Sequence, residues 1–109
     1  MNKYYFLGIG GIGMSALAKY LFEGGNMVMG YDKTPSSITS QLIDLGINVL
    51  FDDSVSTLPK EDRLKDTQIV YTPAVPQDHP QLVFFIDQGN QIKKRAMVLG
   101  EITKHTLLF

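Results

Sequence analysis

The chain has 109 residues, 44% of them hydrophobic and 19% charged, with a formal net charge of −1 and no cysteine. That length holds one compact domain, and the near-neutral balance gives no broad cationic field for nucleic acid or an acidic membrane. Disulfides, zinc–thiolate centres and thiol nucleophiles are excluded, which fits a reducing cytoplasm; the first residues lack the pattern of a secretory signal, and no apolar run approaches a membrane span.

Residues 3–7 (KYYFL) read as a buried strand that stops at Gly8. Met14, Leu17, Ala18 and Leu21 then recur at the spacing of one helix face, and Gly24-Gly25 ends that helix. Residues 27–31 form a second strand closing at Asp32, so the first third of the chain is a βαβ unit. Its strands are expected parallel and its crossover right-handed. Pro35-Ser36-Ser37 starts a helix through Leu42, Ile43 and Leu45, ended by Gly46. A third strand is expected over 47–51, a polar loop with one short helix over 52–66, and a fourth strand over 68–72, stopped by Pro73 and Pro76. Asp78 or His79 caps the next helix, which has Pro80 in its first turn, a favoured place for proline, and turns Leu82, Phe85 and Ile86 to the core before Gly89. Residues 91–93 make a short fifth strand, and 95–105 a last helix with Val98, Leu99 and Ile102 inward. Residues 106–109 read either as a frayed tail or as a strand beginning in a chain cut from something longer. Strands alternating with helices predict an α/β fold, a five-stranded parallel sheet with helices on both faces.

Gly8, Gly10 and Gly13 fit G-x-G-x-x-G between the first strand and the first helix. In that context Gly8 permits the tight turn, Gly10 lets an anion approach the backbone, and Gly13 lets the helix pack close to the sheet. The N–H groups of residues 11–14 then converge at the positive end of a helix dipole, a site suited to a diphosphate. The dipole contributes roughly 0.3–1 kcal/mol per charge, and each N–H contact to a charged oxygen about 1.5–3 kcal/mol. Asp32, nineteen positions past Gly13, either binds a ribose hydroxyl or caps the turn into Thr34-Pro35. These features leave NAD, FAD and a nucleotide sugar open.

The longer run FLGIGGIGMSALA is more specific than its glycines, and it resembles the opening of the Mur ligases. GYDKTPSSITSQLIDLGINV is similar to the second strand and following helix of that family, IVYTPAVPQDHPQL to its fourth strand and Pro-rich exit, and KKRAMVLGEIT to the helix that precedes its ATP-binding domain. The resemblance covers essentially the whole chain in family order and implies a Rossmann-like three-layer fold. It also implies a first domain that binds UDP-N-acetylmuramic acid, in a bacterial cytoplasmic enzyme of cell-wall synthesis whose central domain binds ATP with Mg²⁺. That reaction forms an acyl phosphate on the muramyl lactate, which an amine then attacks. Alanine-adding members are the most similar, and members that attach a recycled murein peptide come second. An NAD-binding regulatory or dehydrogenase domain is the alternative of another class. No G-x-x-x-x-G-K-[ST] occurs here, so the isolated chain is expected to be inactive and to bind no cofactor of its own.

Carried over by position, Gly8, Gly10, Gly11, Ile12, Gly13 and Met14 hold the UDP diphosphate, and Ser15 adds a hydroxyl. Asp32, Lys33 and Thr34 lie near the uridine, with Thr72, Pro73 and Ala74 on the opposite wall. Arg95, in the one basic cluster Lys93-Lys94-Arg95, faces either the ligand or the central domain, or is an ordinary helix-start arginine. Tyr71-Thr72-Pro73 stands where many relatives have a serine pair, and Phe51-Asp52 where many have Gly-His. His79 and His105 have no serine, cysteine or metal-ligand company, so no catalytic residue and no metal site is assigned.

Overall fold

In the computed structural model, residues 1–60 and 64–106 are described, those from 104 onward by their backbone alone. Five parallel strands, β1 (Lys3–Leu7), β2 (Met27–Tyr31), β3 (Asn48–Leu50), β4 (Gln68–Tyr71) and β5 (Ile92–Lys94), lie in the order β3-β2-β1-β4-β5. This is the doubly wound order, whose direction of progression reverses between β1 and β4. Four helices connect and follow them: α1 (Ile12–Glu23), α2 (Ser37–Leu45), α3 (Pro80–Gln88) and α4 (Arg95–Thr106). A 3₁₀ turn, Val55–Thr57, is a short helix of the kind expected in the long polar loop. The expected strand from residue 106 onward falls outside the described residues apart from Thr106, which closes α4; the side chain of His105 is also outside them.

Alternation along β1 divides the core into two layers. Tyr4 and Phe6 pack with Met14, Leu17, Ala18 and Leu21 of α1, Leu42 of α2 and Val98 of α4. Tyr5 and Leu7 face the other way, onto Leu58, Leu82 and Phe85. Each side chain of this kind contributes roughly 1.5–3 kcal/mol on full burial. The sheet is therefore covered on both faces, by α1, α2 and α4 on one and by α3 and the long loop on the other.

Local chemistry sets the helix ends. Ser36 Oγ accepts the Thr39 N–H at 3.2 Å while Thr39 Oγ1 accepts the Ser36 N–H at 2.8 Å, a reciprocal cap on α2. Gly46 and Gly89 close α2 and α3 in the left-handed region, as those glycines predict. Two side chains expected in the core are not there: Ile86 is 53% exposed and Leu99 44% exposed. In α3 the buried stripe is centred on Gln81 and Phe85, four residues apart, which turns position 86 outward. In α4 Val98 and Ile102 occupy the stripe, and Leu99 lies one residue round the helix from it.

Candidate functional site

A cleft of about 890 Å³ opens at the carboxyl ends of the strands, across the point where the strand order reverses. Open α/β sheets bind their ligands at that place. Its floor is the turn from β1 into α1. Gly8 adopts a φ of +89°, a conformation that side chains rarely take, and both Gly8 N–H and Ile9 N–H donate to the Tyr31 carbonyl at 2.8 and 2.9 Å. The chain end of β1 is thereby tied to the chain end of β2.

The donors at the start of α1 differ from the expected set. Gly11, the N-cap, donates its N–H to the Gly8 carbonyl at 3.2 Å, so it is engaged inside the turn. Ile12, Gly13 and Met14 occupy the first turn, where a helix supplies no carbonyl, and no side chain caps them. Those three N–H groups are the ones left for a ligand. Ile12 at the head of this turn is 83% exposed.

The reasons for two glycines also differ. A Cβ on Gly10 would stand 2.7 Å from Asp32 Oδ2 and 3.0 Å from Thr39 Cγ2, so the space belongs to this chain's own side chains rather than to an approaching anion. Gly10 N–H donates to Asp32 Oδ2 at 2.8 Å, and Thr34 N–H donates to Asp32 Oδ1 at 3.0 Å. Asp32 caps its turn, one of the two alternatives open from sequence, and braces the glycine turn as well. A Cβ on Gly13 would meet the Arg95 guanidinium at 3.2 Å, not the sheet. Arg95, the first residue of α4, thus lies over the start of α1. Neither helix has an acidic residue in its first turn, and among the described residues no carboxylate pairs with Arg95. Two helix N-termini and a guanidinium meet there, an arrangement that favours an anion.

Of the residues expected at the site, Gly8, Gly11, Gly13, Met14, Asp32, Lys33, Thr72, Ala74 and Arg95 line the cleft. Gly10, Ile12, Ser15, Thr34 and Pro73 are not among the lining residues. The Ser15 hydroxyl donates back to the Ile12 carbonyl at 3.0 Å and lies on the α1–α2 side. Sequence reasoning missed Leu7, Tyr31, Phe51, Asp52, Asp53, Val75, Pro76 and His79 as lining residues; they lie at strand ends, in the loops that follow, or, for His79, at the N-cap of α3.

His79 caps α3 through its ring: Nδ1 accepts the Gln81 N–H at 3.2 Å. In the neutral ring the proton then sits on Nε2, which is buried and has no partner among the described residues. The ring meets Tyr31 edge-on, with centroids 5.0 Å apart. Burial pushes the His79 pKa below its ordinary value, against the opposing charges of Asp53 and Asp78. Burial also raises the Tyr31 hydroxyl, helped by Asp53, Asp32 and Asp52. Asp52 is held below the usual carboxylate range by the Ser54 backbone N–H, which donates to Oδ1 at 2.8 Å.

A profile of the Mur ligase family, catalytic domain, matches residues 3–106. The chain is 52% identical over 109 residues to a UDP-N-acetylmuramate–L-alanine ligase of Flavobacterium johnsoniae, covering all of this chain and 24% of that protein. It resembles a solved UDP-N-acetylmuramate–alanine ligase from Thermotoga maritima with a TM-score of 0.85 and 32% identity, over 96% of this chain and 23% of that one. A solved UDP-N-acetylmuramate:L-alanyl-gamma-D-glutamyl-meso-diaminopimelate ligase from Neisseria meningitides gives a TM-score of 0.81 at 25% identity, over 93% and 31%. The chain spans about a quarter of the length of the curated relatives it matches.

Proposed function

The chain belongs to the Mur ligase family, and from that premise we propose that it is the UDP-N-acetylmuramate-binding domain of an ATP-dependent ligase that joins L-alanine to this nucleotide sugar in peptidoglycan synthesis. The observation that carries this reading is the cleft at the strand-order reversal, floored by the open first turn of α1 with Arg95 above it. The N–H groups of Ile12, Gly13 and Met14 clasp the diphosphate, each contact to a charged oxygen being worth about 1.5–3 kcal/mol. Arg95 and Lys33 supply countercharge. The nucleoside lies along the wall formed by Asp32, Phe51, Asp52 and Asp53, with Thr72 and Ala74 opposite.

The ATP and Mg²⁺ of the family are assigned elsewhere: the 109 residues contain no G-x-x-x-x-G-K-[ST]. ATP therefore belongs to a central domain of the complete ligase, the intramolecular partner of this one, and the isolated chain does not turn over. Among the described residues no helix is long and apolar enough to cross a membrane, in keeping with a bacterial cytoplasmic enzyme.

Similarity to the Neisseria ligase supports a second reading, the corresponding domain of a ligase that attaches a murein peptide to the same sugar. The two share this cleft and differ in the amine they accept.

Ligand-induced stabilisation tests the proposal. UDP or UDP-N-acetylmuramate at a hundredfold excess over Kd should add about 2.7 kcal/mol, a rise in Tm of roughly 10 °C for a chain of this size. NADH should add nothing. Stabilisation by NADH with none by either uridine nucleotide would assign the cleft to a dinucleotide instead.

A further inference from the structure

Gln81 is the largest polar contribution to the core outside the turn chemistry, and the nucleotide reading gives it no role. Its side chain is fully buried in the face of α3 that packs on the sheet. Its Oε1 accepts the Tyr5 hydroxyl at 2.7 Å. Its Nε2 donates to two carbonyls, Asp52 at 3.2 Å and Ser54 at 3.1 Å. The orientation of the amide is fixed by chemistry, because carbonyl oxygens accept only and so select the NH₂ end.

These bonds join three places distant in sequence: the middle of β1, the start of α3, and the loop after β3. The two carbonyls flank residue 53, so Nε2 grips both sides of one short segment. Within it, the Ser54 N–H donates to Asp52 Oδ1 at 2.8 Å. Phe51, Asp52 and Asp53 are exposed, yet they line the cleft. On the loop side the same two carbonyls accept the Thr57 hydroxyl, at 3.3 and 2.7 Å; Gln81 is their link to the core. Two carboxylates repel a diphosphate and suit the hydroxyl and N–H donors of a nucleoside, so the wall and the α1 turn select opposite ends of one ligand.

Resting on the nucleotide reading above, we propose that Gln81 is a positioning residue: it holds the Asp52–Ser54 segment in the place where the cleft recognises the nucleoside half of its ligand. It touches no ligand itself. Without its NH₂ the segment keeps only its bonds to Thr57, and the Asp52–Ser54 turn opens more often. The diphosphate half, gripped by α1, is unaffected.

Three proteins decide this: wild type, Gln81→Leu and Tyr5→Phe. Each is measured for binding of UDP and of inorganic pyrophosphate, and for hydrogen exchange at the Ser54 amide. Gln81→Leu should weaken UDP about tenfold, leave pyrophosphate unchanged and speed Ser54 exchange at least tenfold. Tyr5→Phe removes a core hydrogen bond without touching the segment, so it should lower Tm while leaving UDP affinity and Ser54 exchange as in wild type. Wild-type UDP affinity in Gln81→Leu, or equal loss of UDP and pyrophosphate in both variants, would overturn the positioning role. Should the wild type bind pyrophosphate but not UDP, the nucleotide reading fails on that protein alone. Unchanged Ser54 exchange in Gln81→Leu overturns the tether whatever the ligand.

Discussion

Replacing Gly10 with alanine puts the glycine turn to a quantitative test. The new methyl would sit 2.7 Å from Asp32 Oδ2, 3.0 Å from Asp32 Cγ and 3.0 Å from Thr39 Cγ2. The carboxylate has to swing away and release the Gly10 N–H it now accepts at 2.8 Å. A hydrogen bond to a charged acceptor is worth about 1.5–3 kcal/mol, and the half-buried setting of Asp32 puts this one near the lower end. Thr39, 1% exposed and tied into the α2 cap, has little room to move, so overpacking adds about 1 kcal/mol more. Urea denaturation should show a loss of about 2.5 kcal/mol at unchanged m-value. Repeating the substitution in an Asp32→Ala background removes the carboxylate from the collision, so the penalty there should shrink by at least about 1 kcal/mol. A Gly10→Ala protein within about 0.5 kcal/mol of wild type, or the same penalty in both backgrounds, would refute the reasoning.

Gly13→Ala should behave in the opposite way. Its methyl meets only the movable end of Arg95 at 3.2 Å, and alanine is favoured over glycine in a helix by about 1 kcal/mol, so thermal unfolding should show an unchanged or raised Tm. His79 should impose a pH dependence. Its folded pKa lies below the ordinary 6.5, so below that value the unfolded chain takes up a proton that the folded chain refuses; its contribution is complete above about pH 6.5 and is lost as pH falls through the folded pKa. His79→Asn keeps a capping side chain, and denaturation between pH 5 and 7 should show a shallower slope for it than for wild type.

Much of this architecture is written in local signals. Glycine punctuation and apolar spacing mark β1, α1 and β2, and Pro35-Ser36-Ser37 marks the start of α2, because each depends on residues close together in the chain. The purposes of Gly10 and Gly13 are not local. One gives way to Asp32, 22 residues on, and the other to Arg95, which the fold brings back from its last helix. Gln81 is hidden for a related reason: a glutamine beside Leu82 reads as the polar edge of an amphipathic stripe, and only a tyrosine from β1 and two carbonyls from the loop make it core. Ile86 and Leu99 show the same limit in reverse, since a shift of one residue in helical phase turns an aliphatic side chain to solvent.

The two outermost strands, β3 and β5, have three residues each. A sheet margin this short offers few unsatisfied main-chain groups for another chain to zip onto. On β5 the margin also carries the exposed Lys94, so strand-by-strand accretion would have to stack like charges. The molecule thereby guards its flanks against fibrous self-association by brevity and charge, leaving the open rim of the sheet as the place where it meets other molecules.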